Sequence, residues 1–152
     1  MPRVTASRHI NARPESLWQL MCRADLRPGW DLSVNRFSRA GEEGDLSTVR
    51  LYYRAPLIGR LCWNWEGAYV TYDPPERTAV RMISGSSLRP FNKLAGTWIL
   101  NAKGNGTIVE TVVQFEPRLP FVAKRMSGRI KRMLEGSLLQ LDKLAIRKEE
   151  DR

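Results

Sequence analysis

The chain has 152 residues, 42% of them hydrophobic and 27% charged, which suits one ordinary globular domain with room for one core. A single histidine and two cysteines exclude a structural zinc site, and no apolar run approaches the ~18 residues of a membrane span. The formal charge of +9 requires a basic surface. The cations are scattered except in KRMSGRIKRM (124–133), and no helix-turn-helix, zinc-finger or RNP-like motif accompanies them, so nucleic acid is not an expected partner.

In chain order, VTASRHINA alternates as a first strand. MPRVTASRHI has no apolar signal core, and Cys22 and Cys62 suit a reducing compartment, so a cytoplasmic location is expected. After Pro14, ESLWQLMCRA spaces Leu17, Leu20 and Met21 as a helix, with Trp18 expected in the core. Its entry lies at Asn11 or Ala12-Arg13, and Pro28-Gly29 within DLRPGWD break it.

Short strands with turn punctuation follow. SVNRFSRA leads to a turn at GEEGD, and STVRLYYRA alternates into the loop APLIGR. LCWNWEGAYVTY, TAVRMIS, KLAGTWILNA and TIVETVVQFEP are further strands, separated by DPPER, SGSSLRPFN and the tight KGNG turn. The period then changes. From Pro120 onward Val122, Met126, Ile130, Leu134, Leu138, Leu141 and Ala145 recur every three or four residues, which predicts one amphipathic helix of about 25 residues ending in a charged KEEDR tail. Gly128 and Gly136 weaken it and mark candidate points of close packing. A curved antiparallel sheet with the long helix on its concave face buries both, and a cavity between them is a default ligand site.

One strand stands out. In LCWNWEGAYV, alternation aims Trp63, Trp65, Gly67 and Tyr69 to one face, either as core filler or as cavity wall. Glu66 and Glu110 fall on the outer face, paired with arginines such as Arg50 or Arg54, and His9 on an exposed strand position.

The ordered segments INARPESLWQLM, DLRPGW, WNWEG, GTWILNAKGNGTIVETVVQFEP and LLQLDKLA resemble the START-like (SRPBCC) superfamily, most nearly its bacterial aromatic-polyketide cyclases and aromatases. The resemblance spans nearly the whole chain and implies a single START-like domain over 1–152. The fold implied is α+β helix-grip: about seven antiparallel strands curved around a long C-terminal helix, with short helices after the first strand. It implies a cofactor-independent enzyme with no metal. Such an enzyme binds a poly-β-ketone, often delivered on an acyl carrier protein, and directs an aldol closure with loss of water. Those relatives carry an arginine four residues after the second tryptophan, where this chain has Tyr69. A tyrosine donates a hydrogen bond or a proton but brings no charge.

The candidate catalytic residues are therefore Tyr69 and, as a substitute cation, Arg81. The candidate substrate-binding residues are Trp30, Ser33, Tyr53, Trp63, Trp65, Gly67, Trp98, Ser137 and Gln140, with Gly67 leaving a gap for ligand. Lys124, Arg125, Arg129, Lys131 and Arg132 are the candidate dock for an acidic acyl carrier protein. The competing expectation is a carrier of a lipid, quinone or other apolar small molecule that does no chemistry. Either a monomer or a homodimer is compatible with the sequence.

Overall fold

The computed structural model describes residues 1–42 and 44–150, with side chains to 148. Residue 43 of the GEEGD turn and residues 151–152 of the charged tail lie outside the described residues. Seven strands form one antiparallel sheet: β1 Arg3–Ile10, β2 Arg36–Ala40, β3 Arg50–Pro56, β4 Cys62–Asp73, β5 Arg77–Gly85, β6 Phe91–Lys103 and β7 Gly106–Pro117. The spatial order is β1-β7-β6-β5-β4-β3-β2, so the last strand closes onto the first. Helices α1 (Pro14–Met21) and α2 (Arg27–Trp30) lie between β1 and β2, and α3 (Ala123–Glu150) ends the chain after a 3-10 turn at Pro120–Val122. This is the helix-grip arrangement. No helix among the described residues is long and apolar enough to cross a membrane.

Local chemistry explains the elements. Gly104, at φ +61°, turns β6 into β7 across two residues, a conformation most side chains resist. Arg13 is the extended residue capping α1, and Pro14 occupies its first turn, where a missing N–H is harmless. Pro28-Gly29 do more than break the chain after α1. Pro28 opens a second single turn, α2, on which Arg27 and Asp31 stand four residues apart and face each other.

The long helix lies toward one side of the sheet. Its close approaches are to β1, β7, α2 and the 3-10 turn. Leu138 and Leu141 are fully buried there, each worth roughly 1.5–3 kcal/mol over exposure. Arg8 to Asp142 (2.8 Å) and Lys131 to the Thr5 carbonyl fasten the helix to β1. Gly136 is a point of close packing: a Cβ there would sit 2.5 Å from Leu32 Cδ1. Gly128 is not, since a Cβ would meet only the far end of Arg132 at 3.7 Å. Because the helix leans on β1 and β7, the β2–β5 side of the sheet is left facing open space.

Candidate functional site

That space is a cavity of about 1180 Å³ between the sheet, α1, α2 and the first half of α3. Exposed lining residues show where it meets solvent. One opening lies by Cys22, Ala24 and Arg39, and the other by Ile58, Leu88, Leu119 and Arg125.

An aromatic ribbon forms much of the wall. Tyr53 stacks on Trp65 with centroids 4.0 Å apart and planes within 10°, Trp65 lies beside Trp63 at 6.2 Å, and Trp63 meets Phe91 at 5.6 Å. Phe37 extends the row beyond Tyr53 (5.0 Å) and Phe115 beyond Phe91 (5.5 Å). Register explains it: Tyr53 sits opposite Trp65 and Ala55 opposite Trp63, so each large ring has a neighbour across the pair. Trp63 and Trp65 are thus both cavity wall and packed core. Trp98 also lines the cavity from β6, its ring edge against Trp30 at 5.4 Å.

At one end the wall turns polar. Arg27 Nε donates to Asp31 Oδ2 at 2.7 Å, the only hydrogen bond its guanidinium makes among the described residues. Asp31 Oδ1 accepts from the Ser33 N–H (3.0 Å) and hydroxyl (2.6 Å), so both carboxylate oxygens are committed. The Arg27 Cζ lies 5.0 Å from the Trp30 ring and 5.5 Å from Phe37, which restricts it to the cavity edge it lines. Burial works against the Arg27 charge, but Asp31 and the surrounding groups outweigh it and hold its pKa above the ordinary arginine value. Tyr53 and Tyr69 share this field. Burial pushes both phenols above their usual range, opposed by Arg27 at Tyr53 and chiefly by Arg39 at Tyr69. Both are neutral O–H groups at physiological pH. Burial likewise raises the Cys22 thiol against the pull of Arg27 and Arg39.

Tyr69 keeps the inward position that alternation assigns it, and a bulge at Val70 then resets the strand. Tyr69 pairs with Val80 but Thr71 pairs with Ala79, so one extra residue is absorbed. Val70 is turned to solvent and Tyr72 rejoins the cavity face, 5.0 Å from Tyr69. Arg39 of β2 lies over both rings, at 5.5 and 5.7 Å.

Of the eleven catalytic and substrate-binding candidates, Tyr69, Ser33, Tyr53, Trp63, Trp65 and Trp98 line this one cavity. Five others do not. Arg81 is exposed on β5, since its neighbour Val80 takes the inward position. Trp30 is fully buried behind Trp98 and Arg27, with its indole N–H unpartnered. Gly67 leaves no gap for ligand, because a Cβ would lie 2.8 Å from Val80 Cγ1 and 3.0 Å from the Trp65 ring, which fill that place. Ser137 accepts from the Leu32 N–H (2.9 Å) and donates to the Met133 carbonyl (2.8 Å), tying α2's exit to α3. Gln140 lies on α3 beyond the cavity. In the basic cluster, Arg125, Arg129 and Arg132 line the cavity, Lys124 is exposed, and Lys131 is held by β1. Trp18, expected as core, is buried and also lines the cavity, edge-on to Tyr72. Glu66 does pair with Arg50, loosely at 3.9 Å, and His9 is exposed. Arg27, Asp31, Arg39 and Tyr72 were not singled out, although Arg27 and Asp31 flank the Pro-Gly break at helical spacing.

The family model for "polyketide cyclase / dehydrase and lipid transport" proteins matches residues 1–145. The chain belongs to that family. Among solved structures it is similar to a protein of Thermus thermophilus, at TM-score 0.80 and 22% identity over 97% of this chain and 99% of that one. It is also similar to a START superfamily protein from Mycobacterium smegmatis, at TM-score 0.81 and 14% identity over 95% and 97%. The Zhui aromatase/cyclase from Streptomyces sp. R1128 superposes at TM-score 0.80 and 15% identity over 97% and 94%. At these identities the likeness is one of fold. No curated protein sequence matches the chain.

Proposed function

We propose that this family member is a cyclase/dehydratase for a poly-β-ketone or similarly oxygen-rich chain, with Arg27 and Tyr69 as the groups that act on it. The observation that carries the reading is the Arg27–Asp31 pair at the edge of an aromatic cavity. Burying an ion pair is expensive, and a site meant only for hydrocarbon has no use for one. Arg27 also has N–H donors left over after binding Asp31. It supplies the cation absent from the tryptophan strand, delivered from α2 instead.

In this reading the aromatic ribbon folds the chain so that a methylene flanked by two carbonyls meets a third carbonyl. The methylene loses its proton to water, and the enolate oxygen that develops charge is held by the fixed Arg27 donors. The carbon–carbon bond forms, and Tyr69 gives its proton to the new alkoxide. Tyr69 recovers a proton from solvent at the Arg39 opening. Departure of that hydroxyl with an adjacent C–H proton, as water, completes the dehydration. Tyr53 adds a second neutral O–H beside Arg27.

One observation favours a carrier instead. Asp31 is the only carboxylate lining the cavity among the described residues, both its oxygens are engaged, and no histidine reaches it. Incubation with a free or carrier-bound poly-β-ketone separates the two, with products compared by mass with and without the protein. A changed ring pattern or loss of water supports the enzyme. An unchanged product set together with a co-purified apolar ligand supports the carrier.

A further inference from the structure

We propose that the second opening of the cavity docks onto an anionic lipid bilayer, whatever chemistry the interior performs. Three connections lie at this end of the sheet: 57–61 between β3 and β4, 86–90 between β5 and β6, and 118–122 between β7 and α3. Hydrogen bonds tie the second of these to the third and to β4. The Arg118 guanidinium donates to the Ser87 carbonyl at 2.7 Å, and the Ser86 N–H donates to the Asn64 carbonyl at 2.8 Å.

Each connection ends in apolar side chains pointed at water. Phe121 is 83% exposed, Ile58 70%, Leu61 58%, Leu119 54% and Leu88 53%. Isolated exposed apolar residues need no explanation, but five around one cavity opening form a patch that does. No aspartate or glutamate occurs in these three connections or in α3 as far as Leu134. The same stretches carry Arg60, Arg89, Arg118, Lys124, Arg125 and Arg129, none of them in an ion pair among the described residues.

Apolar tips surrounded by unpaired cations match the two layers of a bilayer surface. The tips enter the acyl boundary, and the arginines and lysines meet lipid phosphates. Charge alone would also suit an acidic carrier protein, the expectation raised by the cluster at 124–132. The exposed Phe121, Ile58 and Leu88 favour lipid, because they come from three separate connections at the opening, which Ile58 and Leu88 themselves line. An apolar guest can then pass between cavity and acyl region without crossing water.

The test is co-sedimentation of the whole protein with phosphatidylcholine vesicles containing about one-third phosphatidylglycerol, against pure phosphatidylcholine, at about 0.1 M salt. The expected result is binding to the anionic vesicles at least about ten-fold tighter than to the neutral ones. The double variant Phe121→Ser with Leu61→Ser, which alters no cavity-lining residue, should weaken it about ten-fold with an unchanged circular dichroism spectrum. Arg60→Glu with Lys124→Glu should weaken it and flatten its salt dependence. Absence of vesicle binding overturns the proposal, including the case where an acidic acyl carrier protein binds instead. So does binding that the Phe121/Leu61 variant leaves intact, which would mean adsorption by charge alone.

Discussion

The two ends of the cavity use arginine in opposite ways. At the α2 end, Arg27 is largely but not fully buried, held by Asp31 and flanked by aromatic rings, so its position is fixed before any ligand arrives. At the loop end, Arg125 and Arg129 are exposed and unpaired among the described residues, free to swing toward whatever approaches. A fixed cation can stabilise charge that develops at one atom, because it needs no reorganisation. A mobile, hydrated one contributes long-range attraction that salt screens. The two surroundings therefore suit the two tasks proposed for them, interior chemistry and surface attachment.

The largest effect expected from breaking this contrast is at Asp31. Asp31→Ala leaves Arg27 without its counter-charge and the Ser33 donors without an acceptor, and should destabilise the fold by about 3 kcal/mol in urea denaturation. A loss below about 1 kcal/mol would place Arg27 in the same solvated class as the loop-end arginines. Next is Tyr69→Phe, which removes one O–H and should lower ring closure by about 100-fold while apolar probes still quench the cavity tryptophans. If it cyclises at the normal rate, the proton comes from elsewhere.

A smaller effect is expected in alkali. The Tyr53 pKa is raised on folding from an ordinary value of 10.0, so the folded state holds that proton longer than the unfolded chain. Stability from this source is complete below pH 10 and declines as pH rises above it. Tyr53→Phe should remove part of that alkaline decline, read as the melting temperature between neutral and strongly basic pH. Smallest is Phe121→Ser, expected to change folding stability by less than about 0.5 kcal/mol because the ring packs against little. A larger loss would mean that Phe121 is a packing residue and not a free surface.

Much of the architecture was legible in the sequence because it rests on period. Alternation marked the strands, and the three-four spacing from Val122 to Ala145 marked α3. The aromatic wall was legible for the same reason, since the register shift between Glu66 and Gly67 places its extra residue, Ile83, on β5 and leaves the alternation of β4 intact as far as Tyr69. Tyr72 was not, because the bulge at Val70 shifts the phase by one residue and that shift is fixed by pairing with β5. Gly67 was misread because its filler, Val80, lies on another strand, and Arg81 because the pairing of β5 with β4 and β6 turns Val80 to the cavity side and Arg81 away from it. Arg27 is one of 25 basic residues, and its one local mark, the four-residue spacing to Asp31 across the Pro-Gly break, does not reveal that it lines a cavity. Its burial comes from Trp30, Phe37 and Trp98, which three different elements bring around it.

Whether the Arg27 cation acts on a ligand oxygen is decided by one substitution. Glutamine at position 27 can still donate to Asp31 but carries no charge. With a poly-β-ketone substrate, Arg27→Gln should slow ring closure by about 100-fold, while the affinity for an uncharged hydrocarbon probe of the cavity stays within about two-fold of wild type. Ring closure by Arg27→Gln at the wild-type rate, with the same products, would mean that the Arg27 charge takes no part in the reaction.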